Sequence, residues 1–444
     1  MLLSGFPCGG GATVNAPIVS GIVDADVVVA SGDILGVSLI GSSDLIGKVP
    51  PVTGDANQRI PYDTIVCKLR TDAYLMVNRN NGGSPKVYSI LMQDGIATVG
   101  IPTVLPNGFY TRLGIARIDD NTAILCGDTN GANQGNCAAV GLYLEEDGSV
   151  TVGTVVAYGT GNGQSICSLG NRRALLLAGS FAVYQITITG KTTISSIGGG
   201  LALDSSKATG MHNVGIVTTY INEAANQYYA VVYSTYIISS TYTATLIRVS
   251  VSNNSIQKGT TWTSPAYNTR AIHDVRASGD DLLVLTDGVP SGNNHAALLK
   301  IDNNNVLVSR LQLSTNIINN SRRMIAPLSN SRVICFLATD TSEDLKAIGV
   351  HSLPAGLFKG PVVNLGNTYT TAASLTVAPM DNMRTLLTFP RRETGEYIDI
   401  CIVRLDNLLA SWGTSDTWVV PAVAKGAGES GDTIEVFVPQ IITI

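Results

Sequence analysis

The chain alternates short apolar runs with turns of small and polar residues, and the alternation repeats over residues 60–410. Val, Ile, Leu and Tyr dominate the runs, which is typical of β-strands. One kind of turn recurs at residues 70–72, 119–121, 170–171, 222–226, 279–281, 329–331 and 381–382. A second kind recurs at residues 94–95, 147–148, 190–191, 253–254, 303–304, 354–355 and 406–407. Successive turns of one kind lie roughly fifty residues apart, the period of a four-stranded propeller blade.

This period predicts an all-β fold, with a seven-bladed β-propeller over residues 60–413. No long stretch has the 3.6-residue periodicity of an amphipathic helix. A ring of sheets packed face to face buries both faces of each sheet and shortens the exposed edges. The predicted blades are residues 60–105, 106–157, 158–204, 205–263, 264–315, 316–365 and 366–413.

The two ends of the chain fall outside this repeat. Residues 1–14 are apolar, Gly-rich and uncharged, which favours an extended arm laid along another chain. Residues 15–59 read as three or four short strands followed by a linker, and residues 414–444 as two strands around a small-residue turn. We expect residues 15–59 and 414–444 to form a small β anchor module beside the propeller.

Motifs in these ends resemble a known family. Gly32-Asp33-Ile34-Leu35-Gly36-Val37 leads to Gly47-Lys48-Val49, and Ala422-Val423-Ala424-Lys425 runs on to Gly431-Asp432-Thr433-Ile434-Glu435-Val436. Together they resemble the opening and closing segments of tailed-bacteriophage fibre and decoration proteins. The resemblance covers about a fifth of the chain. It implies a β module that attaches the chain to a virion.

The function expected from this resemblance is that of a non-enzymatic structural component of a phage particle. The chain would be made in the host cytoplasm and reside in the virion, with portal, tail, neck or capsid proteins and copies of itself as partners. The predicted attachment contacts are the apolar residues Leu2, Leu3, Phe6, Ile434, Val436 and Phe437. Two alternatives stay open: a receptor-binding protein for host surface polysaccharide, and a propeller glycan hydrolase or lyase.

Composition excludes several partners. Charged residues make up 14% of the chain and the net charge is −5, whereas ordinary soluble domains carry about 25% charged residues. No cluster of Lys and Arg is present, which argues against nucleic acid. No run approaches the ~20 apolar residues of a membrane span, so no membrane insertion is expected. The first residues lack the basic region of a signal peptide.

Candidate chemistry is sparse. His273-Asp274 suggests a general base, but no nucleophile motif accompanies it, so a structural role is favoured. The four histidines fall in three predicted blades and no two are four residues apart, and we expect no catalytic residue, metal or cofactor. Four aromatic residues of blade four could stack on sugar rings or instead serve as packing or interface residues. They are Tyr228, Tyr229, Tyr236 and Trp262.

Two of the seven cysteines form a candidate disulfide. Cys126 and Cys137 flank the loop of a predicted hairpin, one on each arm, where they could face each other. The missing export signal argues instead for reduced thiols. Cys67, Cys167, Cys335 and Cys401 lie in apolar runs and read as buried small hydrophobic residues.

Overall fold

The computed structural model of the chain consists of β-strands joined by turns, as the sequence predicts. It describes residues 18–23, 29–31, 34–49, 61–80, 85–106, 111–128, 136–160, 165–178, 181–203, 211–238, 241–252, 254–264, 272–278, 280–287, 295–304, 306–315, 323–329, 331–338, 344–353, 356–367, 375–390, 398–411, 420–429 and 432–437. Within these ranges there is no helix long and apolar enough to cross a membrane.

Seven sheets form the blades of a propeller, which confirms the predicted fold class. Blade one contains β3 Pro61–Arg70, β4 Ala73–Asn80, β5 Lys86–Gln93, β6 Ile96–Val99 and β7 Thr103–Val104. Blade two contains β8 Thr111–Arg117, β9 Thr122–Asp128, β10 Asn136–Leu144, β11 Val150–Val152 and β12 Val156–Thr160. Blade three contains β13 Ser165–Gly170, β14 Arg173–Ala178, β15 Ala182–Thr189 and β16 Thr193–Ala202.

The next three blades are plain four-stranded antiparallel sheets. Blade four contains β17 Met211–Asn222, β18 Gln227–Ile238, β19 Thr241–Ser252 and β20 Ser255–Thr263. Blade five contains β21 Ile272–Ser278, β22 Asp281–Asp287, β23 His295–Ile301 and β24 Leu307–Thr315. Blade six contains β25 Met324–Pro327, β26 Arg332–Ala338, β27 Asp344–Leu353 and β28 Gly356–Asn367. The first strands of successive blades lie side by side around the axis, so they are the innermost strands of the ring.

Blade seven is completed by the beginning of the chain. Its inner strands are β29 Thr376–Pro379, β30 Arg384–Pro390 and β31 Ile398–Ser411, and its outermost strand is β2 Ile34–Val49. The same sheet continues through β32 Val420–Ala424, β33 Thr433–Phe437 and β1 Ile18–Val23. The ring is therefore closed by pairing between segments more than three hundred residues apart in sequence.

The terminal strands pair in a closed circuit, which we call the terminal module: β1 with β33, β33 with β32, β32 with β2, β2 with β31, and β31 with β1. The two long strands β2 and β31 belong to both structures. Residues 398–404 of β31 pair with β30 inside blade seven, while Leu408 and Leu409 pair with β1 in the module. Along its whole length β31 pairs with β2 on its other side.

The boundary predicted at residue 60 is therefore wrong for β2, which is part of both the propeller and the module. The first and last described strands, β1 and β33, pair with each other, with Ile18 opposite Phe437. Three or four short strands were expected before residue 50; the described residues there form β1, one isolated bridge at Val29, and one strand of 16 residues. Glycines and serines within β2 do not break the strand because β31 supplies a continuous partner.

One apolar cluster fills each of the seven interfaces between neighbouring blades. The strand β4 shows how the sequence produces this arrangement. Tyr74 and Met76 pack towards blade seven, while Leu75 and Val77 pack towards blade two. Since successive side chains point to opposite faces and both faces are covered, the strand reads as an unbroken apolar run.

His351 of β27 is buried without a hydrogen bond to its Nε2 atom, opposite Arg332 of β26. Burial first, and then the positive charge of Arg332, lower the pKa of His351 from 6.5 to about 4. The folded protein therefore keeps this ring neutral, while the unfolded chain protonates it below pH 6.5. The contribution to stability is complete above pH 6.5 and is lost as the pH falls towards 4.

We expect His351→Phe to weaken the pH dependence of stability between pH 7 and pH 5. The phenyl ring cannot be protonated. The substitution therefore removes the pH-dependent contribution of His351 to the free energy of unfolding, which the difference between the folded and unfolded pKa values makes worth up to about 3 kcal/mol. Urea unfolding of both proteins at several pH values measures the effect. Carboxylates titrate equally in the two proteins, so parallel pH profiles would contradict the assignment.

Candidate functional site

The terminal module brings the two ends of the chain to one point. Ile18 opens β1 and Phe437 closes β33, and these two residues are direct antiparallel partners. In the sequence, residues 1–17 precede Ile18 and residues 438–444 follow Phe437. Neither segment contains an acidic or basic residue.

Two of the predicted attachment contacts need correction. Ile434 and Val436 are buried within the chain itself, on the inner face of β33, so they hold the module together and are not available to a partner. Burial of alternate residues in β33 follows from the period-two geometry of a strand. The side chain of Phe437 and the residues Leu2, Leu3 and Phe6 lie outside the part of the chain that the structure describes in that detail.

A polar cluster lies on the innermost strands of blades five and six. A bulge in β21 falls between Ile272 and Asp274, and such bulges redirect a side chain. The bulged residue, His273, faces Arg323 of blade six, with 3.0 Å between the His273 Nε2 and Arg323 Nη1 atoms. Arg323 is buried, with 1% of its surface exposed.

Asp274 connects the two blades. Its Oδ2 atom accepts hydrogen bonds from the Ile325 amide at 2.9 Å and from Arg276 Nε at 3.2 Å. Its Oδ1 atom accepts a hydrogen bond from the Val275 amide at 2.9 Å. Burial raises the pKa of this carboxyl group, although Arg276 and the two amides oppose that shift.

The same type of contact recurs at other blade interfaces. Ser165, at the start of β13, accepts a hydrogen bond from the Ile216 amide of the next blade, and Thr376 of β29 accepts one from the Val66 amide. Asp274 occupies the corresponding place near the start of β21. This arrangement supports the structural interpretation of His273-Asp274 over that of a general base, since the carboxylate is committed to main-chain and Arg276 donors.

The aromatic residues predicted to contact sugars are divided by the fold. Tyr228 is buried in the interface of blades three and four, so the prediction for it is wrong. Trp262 packs against the cluster between blades four and five and is half-buried. The side chain of Tyr236 lies outside the described part of the chain. Only Tyr229 is shown to be exposed, with 42% of its surface accessible.

Tyr220, a blade-four tyrosine outside the four residues singled out as sugar contacts, belongs to this surface. It is the direct partner of Tyr229 across the β17–β18 hairpin, and the two ring centroids lie 5.5 Å apart with planes inclined at 45°. Ile221 beside it is also exposed. The register could have been counted from the turn, because Asn222 opposite Gln227 places Tyr220 opposite Tyr229.

The candidate disulfide is not formed: Cys126 and Cys137 are both buried thiols. The register of the β9–β10 hairpin places Cys126 opposite Ala139 and Cys137 opposite Asp128, so the two cysteines are not direct partners. Burial raises the pKa of the Cys126 thiol well above its usual value, which suppresses the reactive thiolate. The other four cysteines with described positions are buried as well, as predicted.

Within the described ranges, no group of three or more His, Cys, Asp or Glu side chains is placed to hold a metal ion. The acidic residues at the turns have local hydrogen-bond partners instead. Asp119 accepts a hydrogen bond from the Asn121 amide, and Asp147 accepts one from the Ser149 amide. These are the turn-forming roles that Asp commonly has.

The strand order defines the class of protein, a seven-bladed β-propeller closed by an N-terminal strand. No family model matches the chain, and no curated protein matches it in sequence. Among solved structures, the chain is similar to a protein from Lactobacillus plantarum, with 13% identity and a TM-score of 0.48 over 74% of this chain and 96% of that one.

The chain is also similar to two further solved structures. One is a Bacteroides fragilis protein provisionally assigned as a 6-phosphogluconolactonase, with 11% identity and a TM-score of 0.46 over 80% of this chain and 96% of that one. The other is the WD40 propeller domain of Doa1, with 11% identity and a TM-score of 0.42 over 81% and 97%. Similarities at this level of identity concern the fold and carry no information about activity.

Proposed function

We propose that this protein is a non-enzymatic structural component of a tailed-phage particle, attached through its terminal segments and displaying the propeller. The observation that carries the proposal is the pairing of Ile18 with Phe437. These paired residues are the points at which two uncharged segments, 1–17 and 438–444, are joined to the module. Uncharged apolar segments next to each other can add strands to a partner through main-chain hydrogen bonds.

The shared strands β2 and β31 support a role of the terminal module in attaching the propeller to a partner. They continue without interruption from the module into blade seven. A partner that holds the module therefore holds the ring through the same two backbones, with no flexible linker between them. The resemblance of the chain ends to fibre and decoration proteins points to a virion as the assembly concerned.

The test is incorporation of a variant into particles. Substitution of Leu2, Leu3 and Phe6 by Ser should reduce the amount of this protein in purified particles by at least about tenfold, because each side chain contributes apolar burial. Mass spectrometry of the particles measures the amount. Ile101→Ser, at an exposed apolar residue of blade one, is the matched control. Normal incorporation of the triple variant would overturn the arm as the attachment element.

A second candidate function is recognition of host surface polysaccharide by the propeller. It is favoured by the exposed ring of Tyr229 beside Tyr220. Binding of the purified protein to cells, or to their isolated polysaccharide, tests this function. A protein that binds neither would be purely architectural.

A further inference from the structure

The inner hairpin of blade four is longer than those beside it. Its strands β17 and β18 have 12 residues each, whereas β13 and β14 of blade three have 6 each and β21 and β22 of blade five have 7 each. Thr218 is level with Ser168 of blade three, to whose carbonyl it donates a hydrogen bond. β13 ends two residues after Ser168, at Gly170, whereas β17 runs four residues past Thr218, to Asn222; we call residues 219–227 the blade-four ridge.

The blade-four ridge exposes three large apolar side chains. Tyr220, Ile221 and Tyr229 have 45%, 46% and 42% of their surfaces accessible. The two tyrosine rings are held close together by their strand register and lie at 45° to each other. Tyrosine offers a rigid, amphipathic contact surface at a low cost in conformational entropy.

The surroundings of these rings carry little available charge. Glu223 accepts a hydrogen bond from the Asn171 amide at 3.1 Å, and its carboxylate lies against Gly170. Arg173 donates to Asn226 Oδ1 at 2.9 Å. Glu223 is the one charged residue of the ridge, and its carboxylate already bonds to the polypeptide.

Asn222 contributes to the geometry of the ridge. Its Nδ2 atom donates to the Tyr220 hydroxyl at 3.3 Å, and its Oδ1 atom accepts from the Ala225 amide at 3.1 Å. The exposed Gln227 lies opposite Asn222. Aromatic faces flanked by amides and hydroxyls match the two kinds of surface on a sugar ring, its C–H face and its hydroxyl edge.

The other turns on this face of the ring are strongly polar. Salt bridges occupy them, such as Arg70 with Asp72, Arg117 with Asp120 and Arg384 with Asp381. The pair of tyrosine rings is also far smaller than the ~800 Å² per partner of a standard protein–protein interface. The size and the lack of available charge both fit a chain of neutral sugars better than a protein or an anion.

We propose that the blade-four ridge binds a neutral polysaccharide, with Tyr220 and Tyr229 stacking on sugar rings and Gln227 donating hydrogen bonds to hydroxyl groups. This inference rests on the second proposed function, recognition of surface polysaccharide. Of the four aromatic residues predicted from the sequence, the proposed site keeps only Tyr229. It adds Tyr220 and the turn between the two strands. Tyr220 and Tyr229 are the contact residues, and Asn222 is a positioning residue.

The experiment is titration calorimetry of the full chain with neutral hexasaccharides of glucose, mannose, galactose and N-acetylglucosamine. A hexamer of galacturonic acid serves as the anionic comparison. We expect binding of at least one neutral hexasaccharide, and about tenfold weaker binding for each of Tyr220→Ala and Tyr229→Ala. Tyr229→Phe should retain most of the affinity, and Ile101→Ala, a matched exposed site on blade one, should retain all of it.

The outcomes separate the site from the function. Neutral sugar binding that survives both tyrosine substitutions would overturn the ridge as the site and leave polysaccharide recognition standing. Binding of the anionic hexamer alone would overturn the neutral ligand class. An absence of binding to every saccharide would overturn the site together with the second proposed function. Thermal unfolding of each variant verifies that the fold is intact.

Discussion

Deletion of residues 1–49 should produce a chain that no longer unfolds cooperatively. The deletion removes β2, which pairs with β31 from Leu35 to Val49 and forms the outer strand of blade seven. The same strand lies beside β27 and β28 of blade six and β6 of blade one. Its loss opens the ring at the blade where the two ends of the chain meet, and leaves β31 as an exposed edge strand.

Deletion of residues 1–33 is the matched control, because it removes β1 and leaves β2 complete. This variant should unfold cooperatively at a moderately lower temperature, since only the module loses a strand. Circular dichroism melting and gel filtration distinguish the two outcomes. If the chain without residues 1–49 were monomeric and melted within a few degrees of the full chain, the role of β2 in closing the ring would be refuted.

Asp274→Ala should lower the free energy of unfolding by about 3 kcal/mol, because it leaves hydrogen-bond donors at a buried interface without their acceptor. The substitution leaves the Ile325 amide and Arg276 Nε without their acceptor between blades five and six. Urea denaturation measures the loss. Chevron analysis should show faster unfolding, because the contact joins two blades that are already formed.

Asp274→Asn is the informative comparison. An amide oxygen can still accept the hydrogen bond from the Ile325 amide, while the charge opposite Arg276 disappears. We therefore expect a smaller loss than for Asp274→Ala. Equal stability of all three proteins would show that the carboxylate does not connect the blades, and would make a role in binding or catalysis the better interpretation of this buried group.

The periodicity of the sequence was sufficient to predict the ring of seven blades, but it did not predict the strand pairing that closes the ring. The seven predicted turns between first and second strands agree with the hairpins of the structure, because Gly, Asn and Asp at these places have a local physical reason to form turns. No local signal pairs Leu35 with Ser411. That contact depends on the whole ring bringing the two ends of the chain together, so it could not be read from either segment alone.

The exposure of single residues on the blade-four ridge could not be predicted from the sequence either. Tyr228 and Tyr229 are neighbours in sequence, yet one is buried and the other exposed, because successive side chains in a strand alternate between faces. In most of this chain both faces of a strand are covered, so the pattern does not show which tyrosine is outside. Tyr228 faces blade three, whereas Tyr229 lies on the opposite face, where the β17–β18 hairpin is longer than the β21–β22 hairpin of blade five.

The sharing of β2 and β31 has a mechanical consequence. A pull on the terminal segments would pass along these two backbones into the outer edge of blade seven. The hydrogen bonds between them lie across the strand direction, so a load along the strands would strain many of them in shear at once instead of peeling them apart singly. The anchorage and the closure of the ring would therefore resist force together and yield together.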